Sequence, residues 1–143
     1  MIAIGSDHGG FELKQAIMKH LQERGEAYKD FGTYNAESCD YPDYGRAVAK
    51  AVAAGEFDQG ILICGTGIGI SITANKVHGI RAANCGDCFS AEATRLHNDA
   101  NILALGARVV GEGLALKIVD TFLDTPFSND ERHIRRISKI EGD

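Results

Sequence analysis

What this sequence lacks narrows its class first. No apolar run approaches the roughly 20 residues that a bilayer-spanning helix needs. There is no basic excess: a net charge of −5 argues against a general nucleic-acid binder, while leaving room for a local basic cluster around a small phosphate. No internal repeat or linker interrupts the chain. Met1-Ile2-Ala3-Ile4-Gly5 reads as a strand with no basic stretch or cleavage site, so a cytoplasmic protein is the expectation. Cys39, Cys64, Cys85 and Cys88 are then expected to be reduced. What is present is ordinary for a soluble globule, 143 residues with 44% hydrophobic and 24% charged. That length predicts a single domain over 1–143 with a substantial core.

The most informative stretch is Ile61-Leu62-Ile63-Cys64-Gly65-Thr66-Gly67-Ile68-Gly69-Ile70-Ser71. A short apolar run without alternation, set off by Gly60, reads as a strand buried on both faces of a parallel sheet. Glycines at spacing two follow, then a helix-compatible run from Ile70 to Lys76. Strand, glycine turn and helix start aim backbone N–H groups at an anion. Two dinucleotide and nucleotide fingerprints are missing. A P-loop needs a Lys after its last glycine, and none follows Gly69. The dinucleotide motif needs a third glycine where Ile70 stands. The loop therefore suits a small anion or an oxyanion. Cys64 ends the strand; a buried small hydrophobe is the bland alternative, and a thiol activated by the helix N-terminus the chemical one.

The rest of the chain alternates strand and helix. Ile2–Gly5 is a strand, and Phe11 to Leu21 has helical spacing ended near Gly25. Ala27 to Phe31 is a weaker strand. Gly32 to Asp43 reads as a polar loop, and Tyr44 to Ala54 as a helix. Ile80 to Ala83 predicts a fourth strand. Phe89 to Leu96 predicts a helix with Ser90 as N-cap. His97 to Asn101 reads as a polar turn and Ile102 to Leu105 as a fifth strand. Leu114–Leu123 and Asp130–Ile140 are expected helices, the last with Ile134, Ile137 and Ile140 as its apolar stripe. The pattern predicts an α/β fold: a three-layer α/β/α Rossmann-like domain with a five-stranded parallel sheet, right-handed crossovers and a C-terminal helix. Ligands in such sheets bind beyond the carboxyl ends of the strands. Asp7 and His8, the Cys64–Gly69 turn, and His97 with Asn98 are all expected there.

Each candidate group has a plain alternative. Asp7 could simply cap the following helix beside an exposed His8. His97 could be only a cation at a helix C-terminus. Arg132 and Arg136 are four apart and share a helix face, which suits either a solvated basic surface or a phosphate clamp. Cys85-Gly86-Asp87-Cys88 is a lone C-x-x-C without the second ligand pair that zinc needs. A redox pair is the sharper reading and two unremarkable thiols the bland one.

Together these residues resemble the type B ribose-5-phosphate isomerases, of the ribose/galactose isomerase family. The resemblance runs from residue 1 to about residue 140. It is carried by Ser6-Asp7-His8-Gly9-Gly10, by Cys64 through Ser71 with Ala74-Asn75-Lys76, by Gly79-Ile80-Arg81-Ala82, and by Arg95 with His97-Asn98-Asp99-Ala100-Asn101. It implies aldose–ketose isomerisation of a phosphosugar through an enediolate, with no cofactor and no metal. Cys64 is implied to move the proton between C1 and C2, within a catalytic set that also holds His97, Asp7 and Thr66. His97 is implied to help open the sugar ring, Asp7 to contact sugar oxygens and His8 the phosphate. The loop Gly65, Gly67, Ile68 and Gly69 is implied to hold the oxyanion. Asn98, Arg108, Arg132 and Arg136 match the remaining substrate-binding positions. The family resemblance also implies a homodimer or tetramer whose site is shared between subunits, with no nucleic-acid or membrane partner.

Ribose 5-phosphate is the expected substrate, with allose 6-phosphate or a related aldose as the alternative. A phosphosugar-binding module without catalysis would bind ligand without turnover. A thiol redox protein built on Cys85 and Cys88 would titrate as a dithiol.

Overall fold

The computed structural model describes residues 1–142. Its sheet is built from β1 (Ile2–Ser6), β2 (Tyr28–Asp30), β3 (Gln59–Cys64), β4 (Ala82–Asn84) and β5 (Ile102–Gly106). All pairings are parallel, in the order β2-β1-β3-β5-β4. The expected three-layer α/β/α architecture is present. Period-two alternation divides the central strands between two apolar layers. Ile4, Ile61, Ile63, Leu103 and Leu105 face one layer, with Ile17 and Leu21 of α1 (Phe11–Glu23) and Ile118 and Phe122 of α5 (Glu112–Asp124). Ala3, Leu62, Cys64, Ile102 and Ala104 face the other, with Val48 and Val52 of α2 (Tyr41–Ala53) and Ile70 and Ala74 of α3 (Ile68–Asn75). Because β1, β3 and β5 are covered on both faces, they read as continuous apolar runs.

Several boundaries differ from the sequence reading for local reasons. The Gly32–Asp43 loop is shorter than expected: α2 already starts at Tyr41, with Pro42 in its first turn, where a missing N–H costs nothing. β3 starts two residues before Ile61, with Gln59 and Gly60 pairing with Ile2 and Ala3. β4 begins two residues later than Ile80, whose N–H bonds back to Val77. The N-cap of α4 (Cys88–Asn98) is Asp87, not Ser90; the Asp87 carboxylate accepts from the Ser90 N–H at 2.6 Å. α4 therefore runs through His97 and Asn98, which end a helix instead of forming a turn.

The C-terminal helix α6 (Glu131–Glu141) differs most in its facing. Its single buried residue is His133, while Ile134 and Ile140 are 50% and 62% exposed. The expected apolar stripe thus looks mainly outward. Ile68 and Ile72, one turn apart on α3, are also more than half exposed. Lys14 is wholly buried and paired with Asp30, with its ammonium 5.7 Å from the Phe11 ring centroid and 5.5 Å from that of Tyr34. That pair ties α1 to the end of β2, where Asp30 also accepts the Gly32 N–H.

Candidate active site

The carboxyl edge of the sheet gathers one group of candidate residues. Cys64 is the last residue of β3 and is 5% exposed. Its sulphur accepts the Gly67 N–H at 3.1 Å, because Gly67, with φ of 81°, turns the chain back over the strand end. The turn lies directly on β5: a Cβ at Gly106 would sit 2.5 Å from the Thr66 carbonyl oxygen. Thr66 is exposed, and its hydroxyl oxygen accepts the Ile68 N–H at 3.2 Å. Among the described residues, the N–H groups of Gly65, Thr66, Gly69 and Ile70 find no acceptor in the chain. They form a row of donors at the N-terminus of α3, where helix geometry leaves orphan N–H groups and a partial positive charge.

Asp7 and His8 approach from β1. Asp7 is 7% exposed and caps the short 3-10 turn His8–Gly10, its Oδ1 accepting the Gly10 N–H at 3.1 Å. Gly9 is the link to the loop, since a Cβ there would lie 3.4 Å from both Asp7 Oδ1 and the Gly65 nitrogen. The plain capping role of Asp7 is therefore real, and Oδ2 takes no donor among the described residues. His8 accepts the Cys39 N–H at Nδ1, at 3.2 Å. An N–H cannot accept, so the His8 proton sits on Nε2, a donor suited to an oxyanion. Arg108, just beyond β5, donates its backbone N–H to the Gly65 carbonyl, and its guanidinium reaches the space beside the Gly65 Cα.

His97 and Asn98 are not at this edge, which corrects the placement expected from sequence. A parallel strand preceded by a helix receives that helix at its amino end, and β5 pairs Ile102 with Gly60 and Gly106 with Cys64. His97 and Asn98 precede the amino end of β5. Arg81 holds them there: its Nε donates to the Asn98 carbonyl and its Nη2 to the Asp99 carbonyl, both at 2.9 Å. Strand rise alone separates them from Cys64 by about 15 Å or more. Arg132 and Arg136 lie with them on α6, which packs against α4, and both are exposed. The His97 ring stacks on the buried His133 ring, centroids 4.6 Å apart. Within one chain the candidate residues thus form two separated groups: Asp7, His8, Cys64–Gly69 and Arg108 at one edge, and His97, Asn98, Arg132 and Arg136 at the other.

Sequence reasoning passed over three supporting groups. The Cys39 N–H that orients His8 is a backbone group and has no sequence signal. Arg81, which also bonds Glu141 at 2.7 Å, follows Gly79-Ile80 in the sequence with no neighbouring carboxylate to mark it. His133 lies between the paired arginines, and its spacing to Ile137 was the available clue. In the C-x-x-C, Cys85 is buried, Cys88 is half-buried, and both are free thiols. Burial, then the Asp87 carboxylate, pushes the Cys85 thiol up to about 11. Among the described residues no cluster of three or more His, Cys, Asp or Glu forms at metal-binding distance.

The fold is α/β, with a glycine turn lined by unpaired N–H groups at its carboxyl edge and a second, basic group of candidate residues at its amino edge. Comparison with known proteins makes this specific. Residues 2–140 match the family model described as Ribose/Galactose Isomerase, and the chain belongs to that family. It is 54% identical to the ribose-5-phosphate isomerase B of Escherichia coli (strain K12) over 139 residues, covering 97% of this chain and 93% of that one. A structure of the Clostridium thermocellum ribose-5-phosphate isomerase B superposes with a TM-score of 0.96 at 59% identity, covering 98% of this chain and 94% of that one. The D-erythrulose-4-phosphate isomerase of Pectobacterium atrosepticum is 46% identical over 128 residues, covering 88% and 84% of the two chains. Among the described residues, no helix is long and apolar enough to cross a membrane.

Proposed function

We propose that this protein is a cytoplasmic aldose–ketose isomerase that interconverts ribose 5-phosphate and ribulose 5-phosphate. The observation that carries it is the Cys64 sulphur, held by the Gly67 N–H beside the free donors of the α3 N-terminus. Isomerisation needs a base over C2, donors for the oxygen that becomes negative, and a way to open the furanose. His97 assists ring opening, helping move a proton from the C1 hydroxyl to the ring oxygen. Cys64, as thiolate, takes the C2 proton, and the electron pair moves to the C1 oxygen. The enediolate rests on the loop N–H groups. Cys64 then returns the proton to C1 while the C2 hydroxyl proton passes to the C1 oxyanion, leaving C1 as a hydroxymethyl group and C2 as the ketone. Asp7 and Thr66 contact sugar oxygens, and His8, Arg108, Arg132 and Arg136 bind the phosphate.

These roles need both half-sites in one place, and the fold keeps them apart within a chain. We infer a homodimer in which His97, Asn98, Arg132 and Arg136 of one copy complete the site around Cys64 of the other. The outward isoleucines of α3 and α6 supply apolar surface for such an interface. Arg136→Ala is expected to raise KM for ribose 5-phosphate by about 10-fold or more, with a smaller change in kcat, since a charge-assisted contact is worth about 1.5–3 kcal/mol. Steady-state kinetics check this, and an unchanged KM would remove Arg136 from the phosphate clamp.

The overall assignment is tested by following ribulose 5-phosphate formation from ribose 5-phosphate in EDTA. Turnover undiminished by the chelator is expected. Allose 6-phosphate and D-erythrulose 4-phosphate, assayed in parallel, should give a lower kcat/KM. The tetrulose phosphate is included because one relative is named for it. A protein inactive on ribose 5-phosphate but active on either of the others would move the substrate assignment within the family.

A further inference from the structure

We infer that His133 is a positioning residue for His97, its buried ring serving as a fixed plane against which the His97 imidazole is held for ring opening. Its role rests on the proposed function of His97, and the experiment below separates the two.

The residue that seats α6 is an imidazole, although the same helix carries Ile134, Ile137 and Ile140. A helix that needed only to dock would bury those. His133 is 6% exposed, and the exposed His97 ring covers it at 4.6 Å with a 37° tilt. The His133 ring cannot spin freely. Ser128 Oγ accepts the Asp130 N–H at 3.2 Å, so its own proton is free to bond His133 Nδ1 at 3.0 Å. That contact fixes the ring plane. The charged and titratable groups facing His133 are His97 from α4, Arg132 and Arg136 on α6 itself, and Asp130 at 3.8 Å. Burial, then His97, Arg132 and Arg136, lower its pKa against the opposing pull of Asp130. The ring is therefore neutral near pH 7 and packs against His97 without carrying a full charge of its own.

Simple docking and positioning predict different losses. If His133 only seats α6, removing it loosens Arg132 and Arg136, and binding of every phosphosugar weakens. If it positions His97, only steps that open or close the sugar ring suffer. Exchange of the C1 hydrogen of ribulose 5-phosphate with D2O, followed by NMR, separates them. The ketose is already open-chain, so exchange needs proton transfer at C1 but no ring opening.

The test uses His133→Leu, which keeps apolar packing but removes the plane, and His133→Phe, which restores a plane. With His133→Leu, kcat from ribose 5-phosphate should fall about 10-fold while KM and the exchange rate stay within about twofold, because misplacing a reacting group by an ångström can cost up to about 100-fold. His133→Phe should recover most of the lost kcat. Equal loss in isomerisation and exchange, a raised KM, no loss at all, or no recovery by His133→Phe would each overturn the positioning role. His97→Asn serves as the reference and should show the same split between isomerisation and exchange. If His97→Asn also abolishes exchange, it is the ring-opening role of His97 that fails, whatever the His133 variants do.

Discussion

Cys64→Ala should lower kcat for ribose 5-phosphate by about 10³-fold or more, consistent with removal of a general base from proton transfer. The effect should fall on kcat with little change in KM, because sulphur acts in the transition state and the phosphate contacts remain. Cys64→Ser should be nearly as inactive, since a hydroxyl ionises far less readily than a thiol. Stability should change little. The thiol belongs to the apolar layer that also holds Leu62 and Ile70, but replacing it by a methyl group removes one heavy atom and leaves at most a small cavity. Kinetics with a thermal melt check both halves of this expectation. A Cys64→Ala enzyme with wild-type turnover would exclude this sulphur as the base.

Gly67→Ala is expected to damage folding and activity together. At φ of 81° an L-residue is strained by about 1–2 kcal/mol. The added Cβ would also lie 2.4 Å from Asn84 Oδ1 and 2.9 Å from the Leu105 carbonyl carbon. Asn84 can swing aside, but Leu105 is backbone in the central sheet, so the turn itself must move. Moving it withdraws the Gly67 N–H from the Cys64 sulphur and disperses the row of donors at α3. A fall of about 100-fold in kcat/KM is expected, as for loss of an oxyanion donor, together with a lower Tm. Thermal melts and steady-state rates read the two effects separately. A Gly67→Ala enzyme with unchanged rate would mean that the turn geometry does not support the chemistry.

The sheet was legible because β1, β3 and β5 are buried on both faces and carry unbroken apolar runs between glycines. The carboxyl-edge half-site was legible for the same reason: Asp7-His8 and Cys64–Gly69 follow those strands directly. The other half was misplaced. His97 and Asn98 stand close to β5 in sequence, yet a residue before a parallel strand belongs to its amino edge, a fact that only the register of β5 against β3 makes concrete. The α6 stripe was misread because its isoleucines have helical spacing whichever surface they meet. In one chain the surface they meet is mainly solvent, and His133 takes the inner position. Periodicity identifies an apolar face but not the molecule that covers it.

In the proposed dimer a complete site needs Cys64 of one copy and His97 of another. Mixing Cys64→Ala and His97→Asn chains by co-refolding tests it most directly. Each variant alone should be nearly inactive. Random pairing makes half of the dimers mixed, each with one intact site and one doubly altered site, so about a quarter of wild-type activity should return. Mixed dimers, verified by differently tagged chains, that recover no activity would contradict a site divided between copies.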